Sequence, residues 1–516
     1  MGVRREVTGG AKTLEFGPKP YKVRIRRLRD MNKRQRQPSL QLLHYALDRK
    51  RPRHHSTVGC DPHEPEHCRQ RRPHLGIINA PIPDVQTSAP LLLSRRAALA
   101  GLAITAASGS AIAEQVSDGK PGENGAGPVF SPLGPNAELY GAAEGYPVAD
   151  LSLAHQPGEP HQIKYRVGAY SHFDEIFPTH RIKRSAAPWM FKRSPADISY
   201  NFRGNRSSLA EYLSRNPVTG LVIAKDDQIL CEHYQYGRTD RDRLISQSLA
   251  KSITAMLIGI AIGDGAIKSV DDTAETYVPG FKGTEYGKTP IRDLLHMSSG
   301  VEFRETEDGQ RDLDRLWIDM VAGLGPTKGT INSIVQFNRR IAPPGTRYFY
   351  ASIEADVLGV VLHYAVNQSA SDYLREKLWQ PIGAEADATW LVDAQGFEVA
   401  HGFFNTVLRD YARLARLLAH DGVWEGKQII PAQYMIEATT TRPSDTYLAP
   451  GKATPRLGYG YLLWLLPGAR RQFALLGANG QCICIDPRSK LILVQTAVDY
   501  SEEVWQLWSA LVEQFG

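Results

Sequence analysis

The run Leu244-Ile-Ser-Gln-Ser248-Leu-Ala-Lys251-Ser-Ile-Thr-Ala-Met-Leu-Ile-Gly-Ile-Ala-Ile262 constrains the fold more than any other part of the chain. Its apolar positions Ile253, Met256, Leu257 and Ile260 recur at helical spacing, so it predicts a core helix with Ser248 at its mouth. Upstream, strand-forming residues from Thr219 to Lys225 and from Gln228 to Tyr236 flank Asp226-Asp227, which predicts a β-hairpin. Lys251 stands three residues after Ser248, one turn up the same helix face, so its amine can reach the hydroxyl. A hydroxyl attacks a carbonyl only when a base takes its proton, and a lysine serves where burial or nearby cations favour the neutral amine. The helix N-terminus adds the Ser248 backbone N–H, aimed where an oxyanion would form. Ser-x-x-Lys alone is weak evidence, because a chain of this size should contain about one or two by chance.

Two further segments add context. Residues 343–359, Pro-Pro-Gly-Thr-Arg-Tyr-Phe-Tyr350-Ala-Ser352-Ile-Glu-Ala-Asp-Val-Leu-Gly, read as a turn entering an apolar helix, with Tyr350 placed to face a cleft. Phe473-Ala-Leu-Leu-Gly477-Ala478-Asn479-Gly480-Gln481, continuing Cys-Ile-Cys-Ile-Asp486, reads as a strand interrupted by glycines, where close backbone approach to a ligand is the usual reason. Taken singly, a core tyrosine and a β-bulge are the simpler explanations. Five cysteines, at 60, 68, 231, 482 and 484, give no disulfide framework; Cys482 and Cys484 share a strand face and read as small core residues. No paired Cys-x-x-Cys occurs, and no metal and no cofactor is expected.

In this order, the motifs resemble the serine β-lactamase superfamily, in particular its class C-related hydrolases and esterases. Ser248-Leu-Ala-Lys-Ser252, Ile258-Gly-Ile-Ala-Ile-Gly-Asp-Gly265, Leu294-Leu-His-Met-Ser-Ser-Gly300 and Gly477-Ala-Asn-Gly-Gln481 look most like the 6-aminohexanoate-dimer (nylon oligomer) hydrolase branch. The likeness runs from about residue 160 to the C-terminus. It implies an α/β fold of the β-lactamase/transpeptidase-like type: an antiparallel sheet flanked by helices, with a mostly helical subdomain inserted at about 270–440 and the site in the cleft between them. Ser501 would cap the terminal helix.

The resemblance also implies roles. Ser248 would be the acylated nucleophile, Lys251 its base, Tyr350 a second proton carrier, and the Ala478 N–H beside Gly477 the second oxyanion donor. Ser352 replaces the asparagine of the class C Tyr-x-Asn motif, Leu475-Leu476-Gly477 replaces Lys-Thr-Gly, and Asn479 stands where the nylon-hydrolase branch usually has histidine. Trp464 in Gly458-Tyr-Gly-Tyr-Leu-Leu-Trp464 and Asn405 in His401-Gly-Phe-Phe-Asn-Thr406 would lie near the substrate. The implied activity is hydrolysis of a small-molecule ester or amide. Alternatives are a β-lactamase, a peptidoglycan-peptide hydrolase of the D-aminopeptidase or carboxypeptidase type, and a non-catalytic binding protein of the same fold. The sequence does not specify an oligomeric state.

Charge is distributed unevenly along the 516 residues. Residues 1–113 carry 21 basic against 8 acidic side chains, and residues 114–516 carry 40 against 47. The folded part is therefore acidic, which argues against a nucleic-acid partner. Residues 1–93 read as a basic disordered segment, or as one wrongly included upstream, with a true start near the arginine pair at Val85 or Leu91 to Leu93. Ser94-Arg95-Arg96 and the short apolar run to Ala111-Ile112-Ala113 have the layout of a twin-arginine-type signal peptide, too short and too weakly apolar for a stable membrane span. Residues 114–150, with 7 Gly and 4 Pro between Glu114 and Tyr146, read as a flexible linker, leaving 151–516 as the hydrolase domain. These expectations place the protein in the periplasm or outside the cell. Protein recovered from native cells should then begin near Glu114 and fractionate outside the cytoplasm; intact mass spectrometry finding residues 2–75 on the mature chain would contradict this.

Overall fold

The computed structural model describes residues 133–146, 162–305, 312–322 and 327–516. The basic segment, the arginine pair with its apolar run, Cys60 and Cys68 lie outside the described residues.

Eight strands form the largest sheet among the described residues. They are β1 (Lys192–Arg193), β2 (Val218–Lys225), β3 (Gln228–Tyr234), β4 (Gly458–Tyr459), β5 (Trp464–Leu465), β6 (Phe473–Gly477), β7 (Gln481–Asp486) and β8 (Leu491–Ala497). Their spatial order is β4-β5-β6-β7-β8-β2-β3-β1, antiparallel throughout except for the pairing of β1 with β3. The two-residue turn that the Asp226-Asp227 pair predicts joins β2 to β3, and Asp226 adopts the left-handed conformation such turns require (φ 53°). At the centre, β2 and β8 pair with Leu493 opposite Ile223 and Val494 opposite Val222. Every residue of β7 and β8 is buried, as is all of β2 but Lys225. Strands buried at successive positions require cover on both faces.

Four helices place the site. Helix α1 (Ala250–Gly263) is buried from Ala250 to Ala261 and packs against α2 (Ser352–Val366). Apolar on almost every side, α1 is a core helix rather than an amphipathic surface one. Helix α3 (Leu408–Ala419) lies on β2, β7 and β8, so close that a Cβ at Gly220 would stand 2.9 Å from Leu408 Cδ2. Helix α4 (Glu503–Phe515) packs on β8, and the Ser501 hydroxyl accepts from the Glu503 N–H at 3.2 Å. A second, four-stranded antiparallel sheet, ordered Thr179–Ile182, Ala388–Leu391, Phe404–Thr406, Leu244–Ile245, delivers the chain into the turn before α1.

The structure differs from the sequence reading at residues 133–146, read above as linker. They form turns docked on the domain: Tyr140 is buried and donates to Asp499 at 3.1 Å, the Val167 N–H donates to the Tyr140 carbonyl, and Tyr236 donates to the Pro135 carbonyl at 2.6 Å. Glycine and proline supply turns as readily as slack, and one buried tyrosine here anchors them. Cys482 and Cys484 are buried and unbridged, with sulfurs 3.4 Å apart.

Arg413 ties α3 to its surroundings while itself fully buried. It donates to Asp410 (2.7 Å), Glu385 (2.8 Å) and the Trp189 carbonyl, and burial pushes the Asp410 carboxyl up to about 6. Arg413→Met would leave Asp410 and Glu385 without their shared cation. It should lower the urea-unfolding free energy by about 3–5 kcal/mol; a loss below about 1 kcal/mol would show that the network is not holding α3.

Candidate active site

The turn bearing Ser248 starts where Leu244–Ile245 leaves its sheet. Ser246 is clasped by the neighbouring strand in both directions: its N–H donates to the Phe404 carbonyl at 2.7 Å, and the Phe404 N–H donates to Ser246 Oγ at 3.0 Å. Gln247 then takes the left-handed conformation (φ 49°), uncommon for a residue with a side chain. Its amide contacts the buried Tyr170 hydroxyl, and the Ser246 hydroxyl donates to the Gln247 carbonyl at 2.9 Å. This kink turns the chain into a short 3-10 turn, Gln247–Leu249, which continues into α1. Ser248 is half-buried at the start of the helical segment, with the positive end of the helix dipole behind it.

One turn later Lys251 is almost wholly enclosed. Its Nζ lies 2.9 Å from Ser248 Oγ and 2.7 Å from the His401 carbonyl oxygen, and it sits 5.1 Å from the centre of the Tyr350 ring. Tyr350 is half-buried and stacks on Trp464, with centroids 5.9 Å apart and planes inclined by 20°. Trp464 in turn meets Tyr459 edge-on at 4.9 Å, so the three rings form one aromatic wall. The loop carrying Tyr350 rests on the Leu294–Gly300 motif: the Phe349 N–H donates to the Met297 carbonyl at 2.8 Å, and the Gly345 N–H to the Ser298 carbonyl at 2.9 Å.

On the opposite side comes the end of β6. The interrupted strand read from the sequence is instead a hairpin: β6 ends at Gly477, Ala478–Gly480 form the turn, and β7 begins at Gln481. Asn479 (φ 62°) and Gly480 (φ 87°) are consecutive left-handed residues, and that pair reverses the chain. Gln481 braces the turn through its side-chain amide to the Ala478 carbonyl (3.2 Å) and the Ala497 carbonyl (2.6 Å). Gly477 has to be glycine, because a Cβ there would stand 2.4 Å from the Ser246 carbonyl oxygen and 3.0 Å from Gln247 Cβ. The backbone bearing Ala478 is thereby pressed against the turn bearing Ser248.

Of the other sequence-derived candidates, Ser352 is engaged away from Lys251. Ser352, expected to bind substrate or Lys251, starts α2 and gives its hydroxyl to Glu305 Oε1 at 2.5 Å, while its N–H donates to Glu305 Oε2 at 2.8 Å. A carboxylate at a helix N-terminus satisfies both donors and matches the dipole. Asn405 is fully buried and donates to the Phe403 carbonyl at 3.0 Å, within its own strand entry. Leu475 is fully buried, and Leu476 and Asn479 are half-buried. Four residues of the constellation escaped the sequence reading: Ser246, Glu305, Asp356 and His401. Among the described residues, no group of three or more His, Cys, Asp or Glu is gathered to hold a metal ion.

A family model described as Beta-lactamase matches residues 209–500. The 6-aminohexanoate-dimer hydrolase of Paenarthrobacter ureafaciens is 24% identical over 371 residues, which span 70% of this chain and 90% of that protein. Penicillin-binding protein 4 of Amycolatopsis lactamdurans is 29% identical over 160 residues, 30% of this chain and 38% of its own. A solved structure from Bacillus anthracis, provisionally designated a 6-aminohexanoate-dimer hydrolase, superposes with a TM-score of 0.63 at 22% identity, over 71% of this chain and 97% of that one. That likeness establishes the β-lactamase/transpeptidase-like fold.

The tight apposition of β6 gives a direct test. Gly477→Ala must move the β6–β7 turn away from Ser248, and displacement by about 1 Å of a group that positions a reaction costs on the order of 100-fold. Hydrolysis of a p-nitrophenyl ester should fall by that order while the far-ultraviolet circular dichroism stays unchanged. An unchanged rate would show that the approach of β6 to the Ser248 turn is not required.

Proposed function

The chain belongs to the Beta-lactamase family and is a serine hydrolase; from that premise we propose that it cleaves a neutral ester or uncharged amide through an acyl-enzyme on Ser248, with Lys251 as base. One observation carries the reading: Lys251 Nζ, out of solvent, lies 2.9 Å from Ser248 Oγ. In the proposed reaction the neutral Lys251 amine takes the Ser248 proton as Oγ bonds to the substrate carbonyl carbon. The charge formed on the carbonyl oxygen is held by the backbone N–H groups of Ser248 and Ala478. As the intermediate collapses, the bond to the leaving amine or alkoxide breaks, and Tyr350 relays the proton from Lys251 to that group. Water then attacks the acyl carbon by the reverse route, releasing the acid and restoring Ser248.

The preference for a neutral substrate rests on Leu475. By the two-residue period of a strand it shares a sheet face with Gly477, the face pressed to the nucleophile turn. A β-lactam carries a carboxylate beside its reactive ring. Against buried leucine that anion loses hydration and gains no partner, at a cost of several kcal/mol. The wall of Tyr350, Trp464 and Tyr459 suits an apolar acyl chain instead. We propose in addition that the protein is exported by the Ser94–Ala113 segment. Among the described residues no helix is long and apolar enough to cross a membrane.

Ser248→Ala should abolish fluorophosphonate labelling and lower turnover by orders of magnitude, and Lys251→Ala should do nearly the same, because residues acting as a unit fail together. Tyr350→Phe should cost less, about 10²- to 10⁴-fold. Full activity in Ser248→Ala would sink the mechanism. Assayed side by side, p-nitrophenyl esters of short acyl chains should exceed a chromogenic cephalosporin in kcat/KM. A cephalosporin value equal to or above that of the best ester would overturn the assignment of substrate class.

A further inference from the structure

We infer that Asp356 and His401 form a buried positioning pair that aims the Lys251 amine at Ser248. The inference rests on the reading of Lys251 as base. His401 lies in the loop entering the Phe404–Thr406 strand, and its backbone carbonyl accepts from Lys251 Nζ at 2.7 Å. A carbonyl in a loop points wherever its peptide plane turns. Here it is held from both sides: the Gly402 N–H of the same peptide donates to the Val399 carbonyl at 3.1 Å, and the Asp356 carboxylate, projecting from α2, grips His401 itself twice. Oδ1 accepts from the His401 backbone N–H at 3.1 Å, and Oδ2 lies 2.7 Å from ring Nδ1. The Asp356 side chain is fully buried and that of His401 nearly so, 0% and 7% exposed, so water does not compete for these bonds.

The consequence for the amine is stereochemical. A neutral amine has two N–H bonds and one lone pair. A carbonyl oxygen can only accept, so the partner it offers at 2.7 Å takes an N–H and cannot take the lone pair. With one N–H spent on His401, the lone pair is free to face the other close neighbour, Ser248 Oγ at 2.9 Å. Once the serine proton has arrived, the same carbonyl accepts from the ammonium, so one contact serves both protonation states. Placement of the carbonyl is supported from a second direction by the reciprocal bonds of Phe404 with Ser246, which lock the 401–404 loop to the nucleophile turn. Asp356 and His401 act through Lys251 and are positioning residues.

The test compares Asp356→Ala, Asp356→Asn, His401→Ala and Lys251→Ala in the full chain, with p-nitrophenyl butyrate as substrate. Asp356→Ala should lower kcat at least 10-fold at a KM within twofold of wild type. Asp356→Asn, whose amide can accept from the His401 N–H and donate to Nδ1, should recover most of that loss. A structural role alone would lower the melting temperature and leave kcat of the folded enzyme unchanged. If Asp356→Ala does not fold, His401→Ala decides: it keeps the carbonyl and removes the ring contact, and kcat should fall at least threefold at unchanged KM. Wild-type kcat in the folded Asp356 or His401 variants, or an Asn variant as impaired as Ala, overturns the inference. An active Lys251→Ala enzyme would instead remove the base reading on which it rests.

Discussion

A lysine carried into a protein interior must find acceptors for its N–H groups, since an unpaired buried donor costs more than most contacts return. Lys251 is in that position, with 2% of its surface exposed. Its two close polar neighbours come from separate parts of the chain: the hydroxyl of Ser248, three residues earlier, and the carbonyl of His401, a further 150 residues along. Burying Lys251 therefore obliges the 401–404 loop to sit beside the Ser248 turn. That loop in turn fixes Ser246 through Phe404, and Ser246 is the residue against which Gly477 closes. One buried amine thus organises three segments far apart in sequence.

The large sheet supplies the frame that permits this. Strands β2 and β8 pair at its centre, so the β2–β3 hairpin and the strands on either side of the Ala478 turn share one sheet. Helix α3 bears on both strands where Gly220 leaves room, and Arg413 fixes the far side of that helix through a buried ion network. The site sits at the edge of elements that are themselves fully packed, which is how a backbone N–H can be held to a fixed position against a hydroxyl. From the other side, the Met297–Gly300 backbone carries the loop of Tyr350, and the aromatic wall then follows from stacking on Trp464.

What could be read from the sequence was local. Ser248 and Lys251 are three residues apart on one helix, so their meeting follows from helix geometry, and the β2–β3 hairpin follows from two strand-forming runs around Asp226. The fold class came from the order of motifs rather than from any one of them. Contacts made by the main chain were not legible: nothing in the letter His at position 401 announces that its carbonyl receives Lys251, and its Asp356 partner is 45 residues away. Ser352 illustrates the converse. Its place after Tyr350 suggested a substrate contact, whereas the unsatisfied N-terminus of α2 drew in Glu305 to take both its donors. Glycine and proline misled twice, at 133–146, where turns are anchored by Tyr140, and at 477–480, where a hairpin takes the place of an interrupted strand.

The central claim is that chemistry passes through a covalent ester on Ser248. Rapid acid quench during turnover of a hindered acyl ester such as p-nitrophenyl pivalate, whose acyl-enzyme should hydrolyse slowly, followed by peptide mass mapping, tests it most directly. The account predicts one pivaloyl group per chain, located on Ser248, formed in step with a burst of p-nitrophenol. A burst with the acyl group on another residue, or released p-nitrophenol with no covalent adduct, would contradict it.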